Sequence, residues 1–443
     1  MAQTITSRIV NVNATIARSP TPSQLQQSGA LISLGGTNLT VDTYQYCGDL
    51  ATVESLLSAA GNYAELTNMA TTFFAEGNSV GLYILELGVQ TVVDVGIAAL
   101  QTWITNNPGV FYSYLTPASW DASKDEVGSV IITNAGSGYT TAPTVTFSAP
   151  TTGTTATGTA TIQNGAVISV TITNPGSGYT AAPTVTFSAP TSGTTATGTA
   201  NLASALDVLA SDYASPTGKT YFFVNTTTAT VANYSTQKSV YASVPSPTAV
   251  STEFTSAVSF YQWLNNNPGS ANPLAPMSYR YVYGVTPWAN MGNQTAITSV
   301  LSAYGNLILR GAEGGISASC IFKGTMMDGT QASWWYGIDW FQIQVKQALA
   351  AAIINGSNIN PPLLYDQNGI NTLQKVAQNI ANDAVAFGCA LSAVVTAVPF
   401  GTYTSQNPND YAAGIYNGLA ATVVGQNGFL TITFNLGAYQ FVV

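Results

Sequence analysis

The stretch LYILELGVQTVVDVGIAALQTWITNNPGVFYSYL, residues 82–115, gives the clearest indication of the fold class. Two short apolar runs, 82–87 and 110–115, read as strands, and the segment 93–105 between them reads as a helix. The helix is predicted to end before Asn-Asn-Pro-Gly at 106–109, a typical stop and turn. Strand, helix and strand in this order predict part of a sheet covered by helices, the α/β layer.

The same order continues on both sides of this stretch. Upstream, residues 52–75 carry apolar residues near the 3.6-residue period of a helix. Downstream, residues 202–213 predict a helix and residues 219–224, KTYFFV, an apolar strand. When 202–224 is joined directly to the first strands, the order is β-α-β-α-β. The sequence between them is therefore predicted to be an insertion in an α/β layer.

That intervening sequence contains an internal repeat. Residues 136–160 read GSGYTTAPTVTFSAPTTGTTATGTA, and residues 176–200 repeat them with two differences at an offset of 40. Alternating strands separated by Gly-Ser-Gly and Ala-Pro turns predict a small all-β module of two similar halves over 127–200. Extra sequence in a surface loop costs little stability, so a βα loop is a natural place for it.

The remaining sequence extends the layer and ends in two strand-like segments. Near the start, Val10, Val12 and Ile16 alternate with polar residues, and near the end Leu430, Ile432 and Phe434 do the same. Further elements are predicted as follows: strands at 29–34 and 278–285, and helices at 252–264, 294–305, 331–354 and 372–387. The predicted domains are an N-terminal arm with the first strand (1–40), a discontinuous α/β (α+β) core of one or two subdomains (41–126 and 201–420), the inserted module (127–200) and a C-terminal β arm (421–443).

Composition excludes several classes of function. Charged residues are 7% of the chain, against about 25% in a typical protein, and the net charge is -9. There is no histidine, which excludes Ser-His-Asp triads and histidine-ligated metals. Ten scattered Lys and Arg residues do not make a nucleic-acid surface. The three cysteines, Cys47, Cys320 and Cys389, are expected to be buried free thiols of a protein assembled in a reducing cytoplasm.

Motifs for catalysis and cofactors are also missing from the sequence. It has no phosphate-binding loop of the GxxxxGK[ST] type, no GxGxxG before a helix and no GxSxG elbow. No apolar run reaches the length of a membrane span, and no secretory signal is apparent at the start. We therefore expect no enzyme, no cofactor, no metal and no membrane partner.

Three groups of residues have a possible ligand role and a more ordinary one. The acidic cluster Asp121, Asp125 and Glu126 does not match a Ca²⁺ loop and is predicted to be a solvated hinge. Tyr139 and Tyr179, one per repeat, either contact a ligand or pack in their turns, and packing is favoured. The aromatic group on the helix at 331–354 is favoured as core or subunit contact over a sugar platform; it comprises Trp334, Trp335, Tyr336 and Trp340.

Several segments together resemble the tail sheath proteins of contractile-tailed bacteriophages. They are IVNVNATIARSPTPSQLQQSGALISLGG (9–36), TTFFAEG (71–77), YILELG (83–88), PGVFYSYLTP (108–117), GKTYFFV (218–224) and GFLTITFNLGAYQFVV (428–443). The resemblance covers roughly 1–120 and 201–443 and leaves out the insertion. Its motifs are patterns of strands and helices rather than chemical residues.

The resemblance implies a structural subunit of the phage virion, assembled in the host bacterial cytoplasm. Such subunits form six-membered rings that stack helically around the inner tail tube, and the sheath shortens after the baseplate triggers it. Chain ends link neighbouring subunits by adding strands to their sheets, which is β-augmentation. Expected partners are other copies of the chain, the tube, the baseplate and the tail terminator. The linking residues would be Ile9, Val10, Val12, Ile16, Leu430, Ile432 and Phe434.

Two other classes of function remain as alternatives. One is a surface-exposed binding or adhesion protein whose β repeat module contacts glycans. The other is an enzyme, which no constellation of residues in the sequence supports.

Overall fold

The computed structural model describes residues 22–430, apart from 91, 270–276, 290 and 311–317. The strands in these residues are β1 (Gly29–Ser33), β2 (Tyr44–Cys47), β3 (Leu82–Glu86), β4 (Ser113–Leu115), β5 (Ser123–Asn134), β6 (Val145–Phe147), β7 (Thr157–Gln163), β8 (Ala166–Asn174), β9 (Val185–Phe187), β10 (Thr197–Ser204), β11 (Tyr221–Asn225), β12 (Val240–Ser243), β13 (Leu307–Arg310), β14 (Ser319–Phe322), β15 (Ala390–Ala397) and β16 (Leu419–Gly425). The helices are α1 (Leu50–Leu56), α2 (Tyr63–Phe74), α3 (Val93–Asn106), α4 (Asp207–Asp212), α5 (Thr255–Leu264), α6 (Gln294–Ser302), α7 (Ala332–Gly356), α8 (Gln367–Ala386), α9 (Phe400–Gln406) and α10 (Pro408–Ala412).

A six-stranded sheet organises the main part of the fold. Its strand order is β12-β11-β4-β1-β3-β2, and every neighbouring pair is parallel except β2 with β3. Helices cover both faces of the sheet, so its strands read as continuous apolar runs rather than alternating ones. The predicted mixed α/β fold is therefore confirmed.

Two hydrophobic cores lie on the two faces of this sheet. On β11, Phe222 and Val224 belong to the core that includes α3, α4 and α6. The alternate residues Tyr221 and Phe223 belong to the other core, with α1, α2, α5 and the start of α7. The two-residue period of a strand produces this division, because successive side chains point to opposite faces.

The strands on either side of the repeats are direct neighbours in the sheet. β4 and β11 pair in parallel, with Ser113 opposite Tyr221 and Leu115 opposite Phe223. At the base of the intervening segment, the Ala205 amide donates a 2.8 Å hydrogen bond to the Ala122 carbonyl oxygen. The chain therefore leaves and re-enters the α/β layer at almost the same point.

The intervening segment forms three antiparallel strand pairs with a buried cluster of its own. The pairs are β5 with β10, β7 with β8, and β6 with β9. The cluster includes Phe147 from the first repeat and Phe187 from the second. The β5–β10 ladder begins at Ser123 and ends at Ser204, a few residues outside the predicted limits of 127–200.

The last part of the described chain forms a lobe around α8 and a hairpin. The hairpin pairs β15 with β16, and its buried face packs with Trp340 and Phe341 of α7 and with small residues of α8. Residues 421–425, the first five of the predicted C-terminal arm, therefore lie in a strand that pairs within the chain.

Two predicted helices differ from the observed elements. The segment 52–75 is two helices, because residues between them pass close to the loop after β1: a Cβ at Gly61 would lie 2.2 Å from the Leu34 carbonyl oxygen. The segment 202–213 begins as strand, because Leu202 and Ser204 pair with β5.

The predicted strand at 278–285 is wrong. Within these residues Tyr281 makes an isolated bridge to Cys320. Tyr279 and Gly284 both have positive φ, which interrupts an extended chain at each end.

Candidate functional site

The first two turns of α7 contact residues Pro22–Gln27, which we call the root of the N-terminal segment because residues 1–21 precede it. Residues Pro22–Gln27 form a short 3₁₀ helix that packs against α7. The buried Gln26 side chain donates from Nε2 to the Tyr336 carbonyl oxygen (2.9 Å) and to the Tyr112 hydroxyl (3.3 Å). A buried amide with two partners fixes this root to both the helix and the sheet.

The root of the C-terminal segment, residues 426–430, reaches the beginning of the same helix. Gln331, just before α7, donates from Nε2 to the Gly428 carbonyl oxygen (2.9 Å), and its Oε1 accepts from the Gly428 amide (2.8 Å). The Tyr279 hydroxyl donates to the Leu430 carbonyl oxygen. Gln331 and Tyr336, which bind the two roots, are five residues apart in sequence. At the helical rise of about 1.5 Å per residue this separation corresponds to about 7.5 Å along the axis of α7. Both ends of the described chain thus leave the core over one short stretch of α7.

The structure places one of the predicted linking residues. Leu430 lies at the end of the C-terminal root, with its carbonyl oxygen bound by Tyr279. The other predicted linking residues, Ile9, Val10, Val12, Ile16, Ile432 and Phe434, lie outside the described residues.

One edge of the lobe hairpin is closed by side chains. The Val395 amide donates to Gln378 Oε1 (2.8 Å), and its carbonyl oxygen accepts from Gln374 Nε2 (3.1 Å). The Gln378 amide also donates to the Ala393 carbonyl oxygen at 3.3 Å. Two glutamines of α8 therefore occupy the position that a third strand would take beside β15.

Among residues 22–430 as described, the opposite edge of the hairpin, on β16, has no strand beside it. Val395 lies opposite Ala421 in the ladder. The amide and carbonyl of Val395 point to α8 and not to β16, so the two residues form a non-hydrogen-bonded pair. In such a pair the backbone groups of Ala421 point away from β15 as well. Within the described part of the chain, the outward backbone groups of Ala421 and Val423 make no hydrogen bond. Leu391, Val394 and Val424 are exposed on the hairpin. An open edge beside exposed apolar side chains is a template for another strand.

A buried carboxyl group is connected through Tyr112 to the N-terminal root. Asp339 of α7 is fully buried, and its Oδ2 accepts hydrogen bonds from Tyr221 (2.7 Å) and Tyr112 (2.9 Å). Burial raises the pKa of Asp339 to about 6, against the opposing effects of the two hydroxyls and of Lys238 and Lys219. The network links Gln26, Tyr112 and α7. Sequence reasoning missed this residue. A single acidic residue in an apolar helical segment was the only signal for it, and its hydrogen-bond partners come from strands far away in the sequence.

The aromatic residues of α7 belong to the interior of the chain. Tyr336 and Trp340 are buried, and the Trp335 indole N–H donates to Asp328 (3.1 Å). The Trp334 ring lies so close to Gly425 that a Cβ there would meet it at 2.2 Å. These contacts support the predicted core role.

Tyr139 and Tyr179 brace the two repeats against each other. The Tyr139 hydroxyl donates to the Ser188 carbonyl oxygen (3.2 Å) and accepts from the Ala196 amide (2.9 Å), both in the second repeat. Tyr179 makes the equivalent bonds, at the same distances, to Ser148 and Ala156 of the first. Both rings are buried. The packing role favoured by the sequence is confirmed.

The solvated hinge predicted at the acidic cluster is wrong for Asp121. Its carboxylate accepts hydrogen bonds from the hydroxyls of Thr226 (3.0 Å), Thr230 (2.8 Å) and Tyr234 (2.7 Å). These residues follow β11, so Asp121 fixes the base of the β5–β10 ladder to the α/β layer.

The described residues contain no cluster of acidic, cysteine or histidine side chains arranged for a metal ion. None of the helices seen in them has the length and apolar character needed to span a bilayer. Cys47, Cys320 and Cys389 are buried free thiols, as predicted.

Comparison with solved structures identifies the class of fold. The chain is similar to one in the cryo-EM structure of the anti-feeding prophage (AFP) baseplate, six-fold symmetrised, with 11% identity, a TM-score of 0.55, and coverage of 99% of this chain and 100% of that one. It is also similar to the sheath tail protein Lin1278 from Listeria innocua, at 10% identity, a TM-score of 0.39, and coverage of 90% and 94%. The sheath tail protein DSY3957 from Desulfitobacterium hafniense follows at 9% identity, a TM-score of 0.32, and coverage of 87% and 93%.

The TM-score of the baseplate chain shows a shared fold, and the two lower scores support no further conclusion. The resemblance to phage tail proteins predicted from the sequence is therefore confirmed at the level of the fold. No family model matches the sequence, and no curated protein matches it.

Proposed function

We propose that the chain is the structural subunit of a contractile phage tail sheath. It polymerises around the inner tail tube as helically stacked rings of six. The sheath contracts on a signal from the baseplate and drives the tube through the host envelope for genome ejection. Its partners are other copies of itself, the tube protein, the baseplate and the tail terminator, and it catalyses no reaction.

The observation that carries this proposal is the arrangement of chain ends and open strand edge. Both terminal segments leave the core at the start of α7, and β16 has a sheet edge that no other described residue pairs with. A terminal strand from one subunit can pair with that edge on another by β-augmentation. Each backbone hydrogen bond contributes only about 0.5–1.5 kcal/mol, but several per arm recur around every ring. Such links hold subunits together while their rigid cores rotate.

The charge distribution of the chain ends supports the same proposal. Residues 411–443 contain no Asp, Glu, Lys or Arg, and residues 1–41 contain only Arg8 and Arg18. Burying a charge in a subunit contact costs several kcal/mol unless it is paired. An uncharged C-terminal segment can enter a neighbour's sheet without that cost.

We also propose that the segment containing the repeats is a separate unit on the outside of the sheath. Its own buried cluster and its narrow connection at Ala122 and Ala205 support this proposal. Asp121 would hold the unit in a fixed direction, where it decorates the surface without disturbing ring contacts.

Electron microscopy of the purified protein tests the sheath proposal. The expected result is hollow tubes wide enough to enclose an inner tail tube. Glycan binding by a protein that stays monomeric under all assembly conditions would instead favour the adhesion alternative.

A further inference from the structure

Three tyrosines, Tyr279, Tyr281 and Tyr283, form an exposed row that we call the tyrosine strip. The backbone of the strip runs beside β14: the Tyr279 amide donates to the Ile321 carbonyl oxygen (2.8 Å), and the Val282 amide to the Ser319 carbonyl oxygen (3.0 Å). Val282 is buried, whereas Tyr281 is 55% and Tyr283 is 63% exposed. The strip therefore presents two large aromatic side chains to the outside of the core.

The backbone of the strip is fixed by hydrogen bonds from Gln262 and to Glu76. The Gln262 side chain donates to the Tyr281 carbonyl oxygen (3.3 Å) and to Glu76 (2.8 Å), and Glu76 accepts from the Tyr283 amide. A fixed backbone that exposes several aromatic side chains within a few residues is typical of a docking surface rather than of a loose loop.

The C-terminal root delivers the end of the chain to this strip. The Tyr279 hydroxyl holds the Leu430 carbonyl oxygen, and Phe429 next to it is 81% exposed. Thirteen residues follow, TITFNLGAYQFVV at 431–443. They contain no charged side chain and include Phe434, Tyr439 and Phe441, whose rings suit an aromatic surface. A chain of this length spans at most about 45 Å, enough to cover the strip.

We propose that, in the free subunit, residues 431–443 dock on the tyrosine strip of their own chain. Because the segment is tethered to the same chain, its effective concentration at the strip is in the millimolar range. Weak binding is therefore enough to keep it docked. This inference rests on the proposed function: while the segment is docked, the C-terminal arm cannot pair with a neighbouring subunit, and polymerisation is prevented. The strip can offer the docked segment only scattered hydrogen bonds from its tyrosine hydroxyls, such as the one to Leu430. The open edge of a neighbour offers a continuous ladder of backbone hydrogen bonds and therefore displaces the segment from the strip.

Hydrogen exchange measured by mass spectrometry on dilute monomer tests this docking. The amides of 431–434 should exchange about tenfold more slowly than in an unstructured peptide. Tyr281→Ser/Tyr283→Ser should abolish that protection, and the control Tyr46→Ser/Tyr63→Ser, on β2 and α2, should retain it. Unprotected amides in the wild-type monomer, or protection that survives loss of both strip tyrosines, would overturn the proposal.

Its failure can be told apart from failure of the sheath proposal. Protection in monomers of a protein that never forms tubes would support docking and contradict the sheath. Tubes with protection only after assembly would support the sheath and show that the segment has no resting site on its own chain.

Discussion

At the scale of single residues, Glu86 is the most connected side chain at the carboxyl end of the sheet. Its carboxylate accepts from the hydroxyls of Ser33 (2.6 Å) and Thr37 (2.7 Å) and from the amides of Gly35 and Gly88, both at 2.7 Å. The glycine-rich loop after β1 therefore encloses the side chain of Glu86.

Replacing Glu86 with Gln should destabilise the protein by about 3 kcal/mol, because an amide NH₂ would face buried donors that need an acceptor. Urea unfolding measures the change. Glu54→Gln, at an exposed position on α1, is the matched control and should leave the midpoint unchanged. Equal midpoints for both variants would show that the enclosed carboxylate has no structural importance.

Buried carboxyl groups should also make stability depend on pH. Burial raises the pKa of Asp339 and Asp207 to about 6 and of Glu76 to about 7. At these three groups the folded state binds protons more tightly than the unfolded state. Their contribution to stability is therefore greatest below about pH 4 and is lost as pH rises to about 7.

The unfolding temperature should therefore be higher at pH 5 than at pH 7.5. Asp339→Asn should remove about 1.4 kcal/mol of this difference in stability, because the pKa of Asp339, about 6, lies about one unit above pH 5. The exposed Asp383→Asn should leave the difference unchanged. Differential scanning calorimetry across this range is the measurement. A rise in stability with pH would contradict the sign derived from the raised pKa values.

At the scale of elements, the two repeats depend on each other through Tyr139 and Tyr179. Removing either hydroxyl leaves a buried amide without its acceptor, at Ala196 or Ala156. Tyr139→Phe and Tyr179→Phe should each lower the stability of this β unit by about 1–3 kcal/mol, and by similar amounts. Exchange of amides in β6 and β9 reports the loss, with Tyr63→Phe as control. A large effect from one tyrosine and none from the other would contradict the symmetric bracing.

The whole β unit should be removable. Joining Glu126 to Asn201 through a short Gly/Ser linker keeps the base of the ladder, where Ser123 pairs with Ser204. We expect soluble protein whose α/β layer keeps its wild-type circular dichroism and which still assembles, because the removed segment has its own buried cluster. Complete loss of folding in this variant would refute the proposal of a separate unit.

The sequence predicts best the strands that are buried on both faces of the sheet, because such strands are continuous apolar runs. β3 and β11 are apolar runs because helices cover the sheet on each side. The hairpin β15–β16 was missed because it is built largely of Ala, Thr and Val with one face exposed. The false strand at 278–285 alternates Tyr with buried Val282, as a strand would, but the positive φ of Tyr279 is invisible to that pattern.

At the scale of the whole molecule, the sequence indicated that the chain ends matter but not where they leave the core. The contacts of Gln26 with Tyr336 and of Gln331 with Gly428 join residues 310 and 97 positions apart. Glutamines at these positions carry no recognisable motif, and only the packing of α7 against the sheet brings them together. The open edge of β16 likewise depends on which side of β15 the two α8 glutamines occupy.

The sheath proposal depends on exchange of the C-terminal arm between subunits. The segment 429–434, FLTITF, alternates apolar residues with Thr, as expected of a strand with one buried face. Ile432→Asp/Phe434→Asp would place charges on that face. Thr431→Asp/Thr433→Asp is the matched control, with the same charges on the opposite face. Deleting 429–443 should act like the first variant.

Sedimentation velocity of these variants, with circular dichroism as the check on folding, tests whether the C-terminal arm links subunits. We expect Ile432→Asp/Phe434→Asp to keep the wild-type spectrum but to sediment as monomer, while wild type and control form large species that electron microscopy shows as tubes. Tubes of normal length from the Ile432→Asp/Phe434→Asp protein, or from protein lacking 429–443, would contradict arm exchange as the link between subunits.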